Sequence, residues 1–523
     1  MLTFRLTETG VTAAQWRWTG HRWESQDSYI EPYRHPSLSH DMVTDGASTA
    51  VLSRERRPDD PSGDPGPPRV MPAIAFRHAL DETRSWSLDR TVLLIDSRGV
   101  SAEAGTWAVA PVFITAREGT LSGSWDINEL REYTQADRLV DREMARLLTW
   151  RHRYGHETVW EGVHRLTERS TALWQDRQLT LNYPAPAYHT HPRRLRPGAN
   201  VLEAFGKVLD SAVARRAVVP ENCAIELSGG MDSSNVAASL SHVYPGKLVA
   251  ATLLLGGRFE IIHPHRCAIM IDAFSFPHSL TVPVADHLPF GPGGVRAEGG
   301  PVSPYDDPWI EAKAALTTDL KARGVTVSFG GNGGDELGSL REFEQTTHGT
   351  ASPLPQWIGP RVRAVAHECE EGIAPATVVH EATLRGFASR NAHLLRNGLW
   401  PVSPLADPEL IQFCEWLPRP WREHKTVHRL RLAGLGLSLD VVSPLNNENP
   451  AEVLDLAIHK NVIPYLKERL RIGSILADSR YIAPDALAKA IDHAETLWLR
   501  SRQMNRALFK IAALEHGLHA SSG

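Results

Sequence analysis

The densest chemistry lies in Ser228-Gly229-Gly230-Met231-Asp232-Ser233-Ser234, between a short apolar run at 223–227 and a helical pattern at 233–243. Ligands of open α/β sheets bind at the carboxyl ends of strands. Glycines let backbone N–H groups approach an anion, a helix N-terminus adds positive partial charge, and hydroxyls add donors. The loop therefore suits phosphate oxygens. Asp232 suits another task, because a carboxylate beside a polyphosphate needs Mg²⁺ between them. No G-K-[ST] follows, so this is not a Walker loop. The plain alternative, a Gly-Gly turn with a capping serine, accounts for fewer of the specified positions. A second loop, Gly330-Gly331-Asn332-Gly333-Gly334-Asp335-Glu336, follows an apolar run at 325–329. It too falls at a strand's carboxyl end, and Asp335 can face Asp232 across a nucleotide.

The elements that must position these loops alternate. Helical spacing at 202–213 precedes the strand at 223–227, and further strands are predicted at 248–255, 279–284 and 325–329. Asp307-Pro308 reads as a helix start, with an acid cap and proline at the first helical position, and the helix runs to 323. Strands alternating with helices imply a parallel, doubly wound sheet. From about 368 the chain reads as mostly helix. The first 190 residues have a different grammar: short aromatic-rich strands to 43, strands at 91–95 and 106–116, a helical pattern at 137–154, and two strands around a turn at 172–181. The charged, Pro- and Gly-rich stretch 45–69 reads as a mobile loop, 184–197 as a linker, and 290–304 as a flexible loop.

Composition sets the outer bounds. At 523 residues, with 42 % hydrophobic and 22 % charged, the chain is ordinary globular protein. Lys+Arg 56 against Asp+Glu 61 gives −5, which offers no global attraction to nucleic acid or an anionic membrane. Arg193, Arg194 and Arg196 form one small basic patch. Four scattered cysteines cannot build a disulfide scaffold and fit a reducing cytosol. The start, MLTFRLTETG, has no secretory pattern, and 248–255 is too short to span a bilayer. The expectation is a soluble, cytoplasmic protein.

The pair of loops resembles the asparagine-synthetase-like synthetases, whose pyrophosphate loop has the form S-G-G-x-D-S-S. The resemblance covers about 196–440, and Pro404-Leu405-Ala406-Asp407-Pro408 is similar to a recurrent family segment. It implies an α/β fold: a doubly wound ATP-pyrophosphatase (adenine nucleotide α-hydrolase-like) domain with a helical C-terminal part at 193–523. Ahead of it, at 1–192, it implies a degenerate glutamine-amidotransferase-like (Ntn-type) α+β domain. ATP and Mg²⁺ are implied, with ATP cleaved between its α- and β-phosphates, a carboxylate adenylated, and an amine closing the amide. Ser228, Gly229, Gly230, Asp232, Ser233, Ser234, Gly331, Gly333 and Gly334 would hold the nucleotide, and Asp232 and Asp335 the metal.

Departures from the family narrow the reading. Family glutaminases carry a nucleophilic cysteine directly after the initiator methionine; here residue 2 is Leu2, so ammonia release from glutamine is not expected. Asn332 stands where asparagine synthetases have glutamate, and an amide is no general base. Trp400 falls near the family's acidic residue, close to the expected site. The family's basic R-x-K is missing from 441–449, and a cation facing the reacting phosphate is a large catalytic term. Lys425 or Lys460 can take that place, a solvated helix face being the plainer expectation for Lys425.

Together these features resemble the lasso-peptide macrolactam synthetases, which close an Asp or Glu side chain of a precursor peptide onto its own N-terminal amine. The resemblance implies a precursor core peptide as substrate and a leader peptidase and leader-binding protein as partners. A small-molecule amide or lactam synthetase, and a non-catalytic nucleotide-binding partner, are the other readings. The missing R-x-K favours the last; Asp232 and Asp335 oppose it. His263-Pro264-His265-Arg266-Cys267 has ligand types but no second cluster to complete a metal site. The segment 188–191 reads as solvated, and Trp309, Trp400, Trp416 and Trp421 as core or interface aromatics.

Overall fold

The computed structural model describes residues 1–13, 15–61, 63–339, 353–444, 449–496 and 502–521. Alternation of inward and outward residues builds the first strand. The strand Leu2–Thr7 turns Leu2, Phe4 and Leu6 inward and pairs on both sides, with Phe4 opposite Gly123 and Ile30. Residue 123 is glycine because a Cβ there would sit 2.3 Å from the Phe4 ring. Two seven-stranded sheets result, antiparallel but for one edge pair. They pack face to face, with Phe4, Ile114 and Leu121 of one against Val51, Leu93 and Trp174 of the other. The helix Ala73–Arg84 lays Phe76 and Leu80 on the outer face of the second sheet.

The stretch expected to be a mobile loop at 45–69 contains a central strand instead. Thr49–Glu55 pairs with both Leu38–Thr44 and Arg90–Asp96. Its apolar run is only Ala50 to Leu52, and the charges around it hide the pattern. Smaller corrections follow from the same ambiguity. The strand expected at 106–116 is Val112–Arg117, and the helix at 137–154 is Asp141–Leu148. The two strands at 172–181 are Thr171–Gln175 and Gln178–Asn182. The linker is irregular, but His189 is not simply solvated: its Nδ1 lies 2.6 Å from Glu415 Oε1.

In the second half β1 (Cys223–Glu226), β2 (Val249–Leu254), β3 (His278–Pro283), β4 (Val327–Phe329) and β5 (Trp400–Val402) form a wholly parallel sheet, ordered 3-2-1-4-5. Parallel sheets need cover on both faces. On one face α1 (Val201–Ala214) and α2 (Met231–Val243) bring Phe205, Leu209 and Val236 against Ile225 and Phe329. On the other, α3 (Ile310–Ala322) and α4 (Glu381–Arg396) bring Leu316, Leu320 and Leu394 against Ala224 and Val249. The helix predicted from 307 starts three residues later; Asp307 Oδ1 accepts from the Trp309 N–H at 2.8 Å and shapes the preceding turn. The segment 290–304 lacks regular structure but is anchored, since Arg296 reaches Glu311 through a buried ion pair of 2.7 Å. Beyond the sheet lie α5 (Thr426–Gly434), further helices, and α6 (Arg502–Ser521).

The halves share their core. Leu508, Leu514 and Leu518 of α6 join Met144, Leu147 and Leu148 of the first half. Glu55, 1 % exposed, accepts from Arg216 Nε at 3.0 Å, Trp400 Nε1 at 2.6 Å and the Asp89 N–H at 2.9 Å. A buried carboxylate persists only with such partners. Trp400, expected near the site, is thus a fully buried junction residue.

Candidate active site

In the order 3-2-1-4-5 the sheet's strand order reverses at β1, whose neighbour on the other side is β4. The two loops that leave these strands therefore lie side by side at the position where open α/β sheets bind ligands. Gly230 caps α2 in extended conformation, while Gly229 has φ +77°, open to glycine at little cost. The hydroxyls brace the loop: Ser233 Oγ accepts from the Ser228 N–H at 3.2 Å, and Ser234 Oγ donates to Gly230 O at 2.7 Å. The first N–H groups of α2 have no intrahelical acceptor and carry positive partial charge. His263 sits behind the loop with Nε2 2.9 Å from Ser228 O, so the His-rich segment supplies a prop.

The second loop makes room for the first. A Cβ on Gly334 would lie 2.2 Å from Asp232 Cγ, and one on Gly331 would lie 2.7 Å from the Ser233 nitrogen. Gly333, at φ +95°, packs on the Leu405–Ala406 backbone. Gly331 lines a cavity together with Gly330 and Asn332. The smallness of Gly333 and Gly334 lets the two loops meet.

Lys425 completes the site. Its Nζ lies 2.6 Å from Asp232 Oδ2 and 2.5 Å from Asp335 Oδ1, so one ammonium bridges the two carboxylates. The solvated helix face expected for it is not what the fold builds. A turn places it there, with His424 at φ +53° and Lys425 at φ +56°. Non-glycine residues in this region cost about 1–3 kcal/mol each and mark places where the surroundings dictate the backbone. Burial pushes the Asp232 carboxyl up to about 6, with Lys425 pulling the other way. Burial disfavours the Lys425 ammonium, yet the Asp232 charge beside it holds its pKa above the ordinary lysine value. His428, buried in the next turn, is pushed down to about 3 by burial and stays neutral beside Asp232.

Two cavities flank the first loop. One, about 380 Å³, is lined by Gly229, Asp232, Asp335, Lys425 and Arg429 and is cationic on one wall. The other, about 440 Å³, has apolar walls from Ala251, Leu253, Leu255, Trp309 and Leu316. At its floor Arg390 pairs with Glu226 and donates through Nη1 to Asn332 Oδ1 at 3.0 Å. Burial acts to raise the Glu226 carboxyl, but Arg390 and Lys313 outweigh it and keep it below its ordinary value. Sequence reasoning missed Glu226, Arg390 and Arg429. Glu226 closes an apolar strand just before the loop, a position that was readable; the two arginines carry no local signal.

The other candidates fall away. Lys460 is exposed in a π-turn, Ile458–Val462. The positions 445–448, part of the segment without R-x-K, lie outside the described residues. Among the described residues no group of three His, Cys, Asp or Glu is placed to hold a metal. No described helix is long and apolar enough to cross a membrane.

Against known families, residues 204–428 match the asparagine synthase model, a stretch running from α1 into α5 and containing both loops, Arg390 and Lys425. No curated protein matches the chain. The family match supports an asparagine-synthetase-like domain and ATP-dependent amide synthesis in general.

Proposed function

We propose that the protein is an ATP-dependent, AMP-forming carbon–nitrogen ligase that adenylates an Asp or Glu side chain of a precursor peptide and closes it onto the peptide's N-terminal amine. The observation that carries the ligase reading is the Lys425 ammonium between Asp232 and Asp335, facing the cationic cavity. It supplies the cation whose family motif is missing and removes the main support for a non-catalytic role. The apolar cavity suits a planar base, and the cationic one suits the departing pyrophosphate. Asp232 Oδ1 is buried without a hydrogen-bond partner, a lone pair left for a cation, so Asp232 and Asp335 fit Mg²⁺ held jointly with phosphate oxygens. When bound, Mg²⁺ neutralises phosphate charge. Lys425 and Arg429 oppose the charge that builds on the leaving group. Arg390 fixes Asn332 and Glu226 at the floor.

Macrolactam closure is supported by Leu2, which offers no nucleophile and is fully buried in a strand. We read the first half, 1–192, as a degenerate amidotransferase-like body and 193–523 as the synthetase. A peptide's own amine needs no ammonia, but it must be held pre-bent near the activated carboxylate. A leader peptidase and a leader-binding protein would then act before this enzyme, in the cytoplasm. The test is mass spectrometry of a cognate precursor with the peptidase, ATP and Mg²⁺. The expected product is the core lighter by one water, linked from its first residue to an internal Asp or Glu. Linear core alone, with AMP formed on another acid, assigns a small-molecule substrate instead. Asp232→Asn and Asp335→Asn should each abolish substrate-dependent pyrophosphate release; full activity in both removes the assignment of these carboxylates to Mg²⁺.

A further inference from the structure

A third cavity, about 320 Å³, lies where the halves meet and shares no lining residue with the two already described. Its walls come from helix Asp141–Leu148 and the turn after it, strand His164–Leu166, the turn at 305–308, α4 and α6. The volume is at the small end for ligand pockets and fits a molecule of about amino-acid size.

Its charges are unevenly matched. Arg153, Arg165, Arg385 and Lys510 line it, against Glu143, Asp306 and Asp307. Each carboxylate has partners of its own. Glu143 pairs with Arg146 at 3.2 Å, Asp307 with Lys313 at 2.6 Å, and Asp306 accepts from the Ser303 N–H at 2.7 Å and Oγ at 2.9 Å. Of the cations, Arg153 is taken by Glu370 at 2.7 Å. Arg165 is only 5 % exposed, and its Nε is buried without a hydrogen-bond partner. Arg385 gives Nη1 to His152 O at 2.9 Å, but its Nε is likewise buried without one. Lys510 donates to a carbonyl, Pro304 O, at 3.1 Å. Buried donors without acceptors are rare in native proteins, and those on charged groups cost the most. His152 is kept neutral, pushed down to about 3 by burial, so it adds no charge.

We propose that this cavity binds a small monocarboxylate bearing an apolar group, its carboxylate taken by Arg165 and Arg385 with Lys510 beside them and its apolar part lying against Leu147, Trp150 and Phe509. Glu143 and Asp306 line the same cavity, so a second negative charge on the ligand would lie against a carboxylate, which disfavours a phosphate dianion relative to a monoanion. This assignment does not depend on what the nucleotide loops do.

The test is calorimetric titration of the full chain with N-acetylphenylalanine, its uncharged amide, and inorganic phosphate. The acid should bind saturably and the amide at least tenfold more weakly, with phosphate unable to displace the acid. Arg385→Met and Lys510→Met, each checked for an unchanged circular dichroism spectrum, should weaken the acid at least tenfold. Asp232→Asn should leave it unchanged. No saturable heat with the acid, equal binding of acid and amide, or displacement by phosphate overturns the proposal. Because the acid–amide comparison uses the unaltered protein, a variant that misfolds does not blunt it.

Discussion

A single lysine carries most of the catalytic argument, and its position tests it. Lys425→Met should lower pyrophosphate release by more than ~100-fold, as loss of one group stabilising transition-state charge does. Lys460→Met, on an exposed turn, should leave the rate unchanged; the comparison is a steady-state pyrophosphate assay of both variants. Equal rates for Lys425→Met and the parent would place the cation elsewhere. This residue was legible in the sequence only as one of two candidates. It lies 193 positions from Asp232, and two left-handed residues without glycine bring it in. Nothing local in Glu423-His424-Lys425-Thr426 announces that turn. Asp232 was legible because its neighbours in sequence are also its neighbours in space.

At the scale of the element, the loops work as a pair. Gly334→Ala should reduce pyrophosphate release about as far as Asp232→Asn, because its Cβ would displace that carboxylate from 2.2 Å away. Gly386→Ala, with open space around its Cβ, is the matched control and should raise helix stability by up to about 1 kcal/mol. Pyrophosphate assays on both variants, with urea unfolding of the second, check the pair. The parallel sheet was readable from its short apolar runs, and strand Arg90–Asp96 likewise from Thr91 to Ile95. Thr49–Glu55 was not, since its burial comes from two flanking strands rather than from its own composition. The anchoring of 290–304 was hidden for a related reason: Arg296 and Glu311 look solvated until the fold buries both.

For the whole molecule, buried histidines set an acid limit. Burial pushes His40 down to about 3 and His35 and His393 down to about 4. His40 lies between Ser53 Oγ and Tyr33 O, and His35 reaches across the halves to Thr326 O at 2.9 Å. A base whose folded pKa is depressed contributes stability that is complete above its unfolded value near 6.5. That contribution is lost as pH falls toward 4, by about 1.4 kcal/mol per pH unit for each group. Urea unfolding between pH 7 and 5 should show this decline, and His40→Gln should make it shallower by about one such increment. A slope indifferent to His40→Gln would mean that this histidine takes up its proton without unfolding.

The connection between the halves is exposed throughout 191–200, and Arg194 and Arg196 lie within it. Glu55, meanwhile, is reached by Arg216 and Trp400 from the far side of that connection. Covalent continuity and mechanical continuity are therefore separate properties of this chain. Trypsin should nick it after Arg194, the bond after Arg196 being protected by Pro197, giving two bands under denaturing electrophoresis. The nicked protein should still elute from a sizing column as one particle and melt in one transition. Two separate peaks would show that the peptide link, not the shared core, holds the halves together.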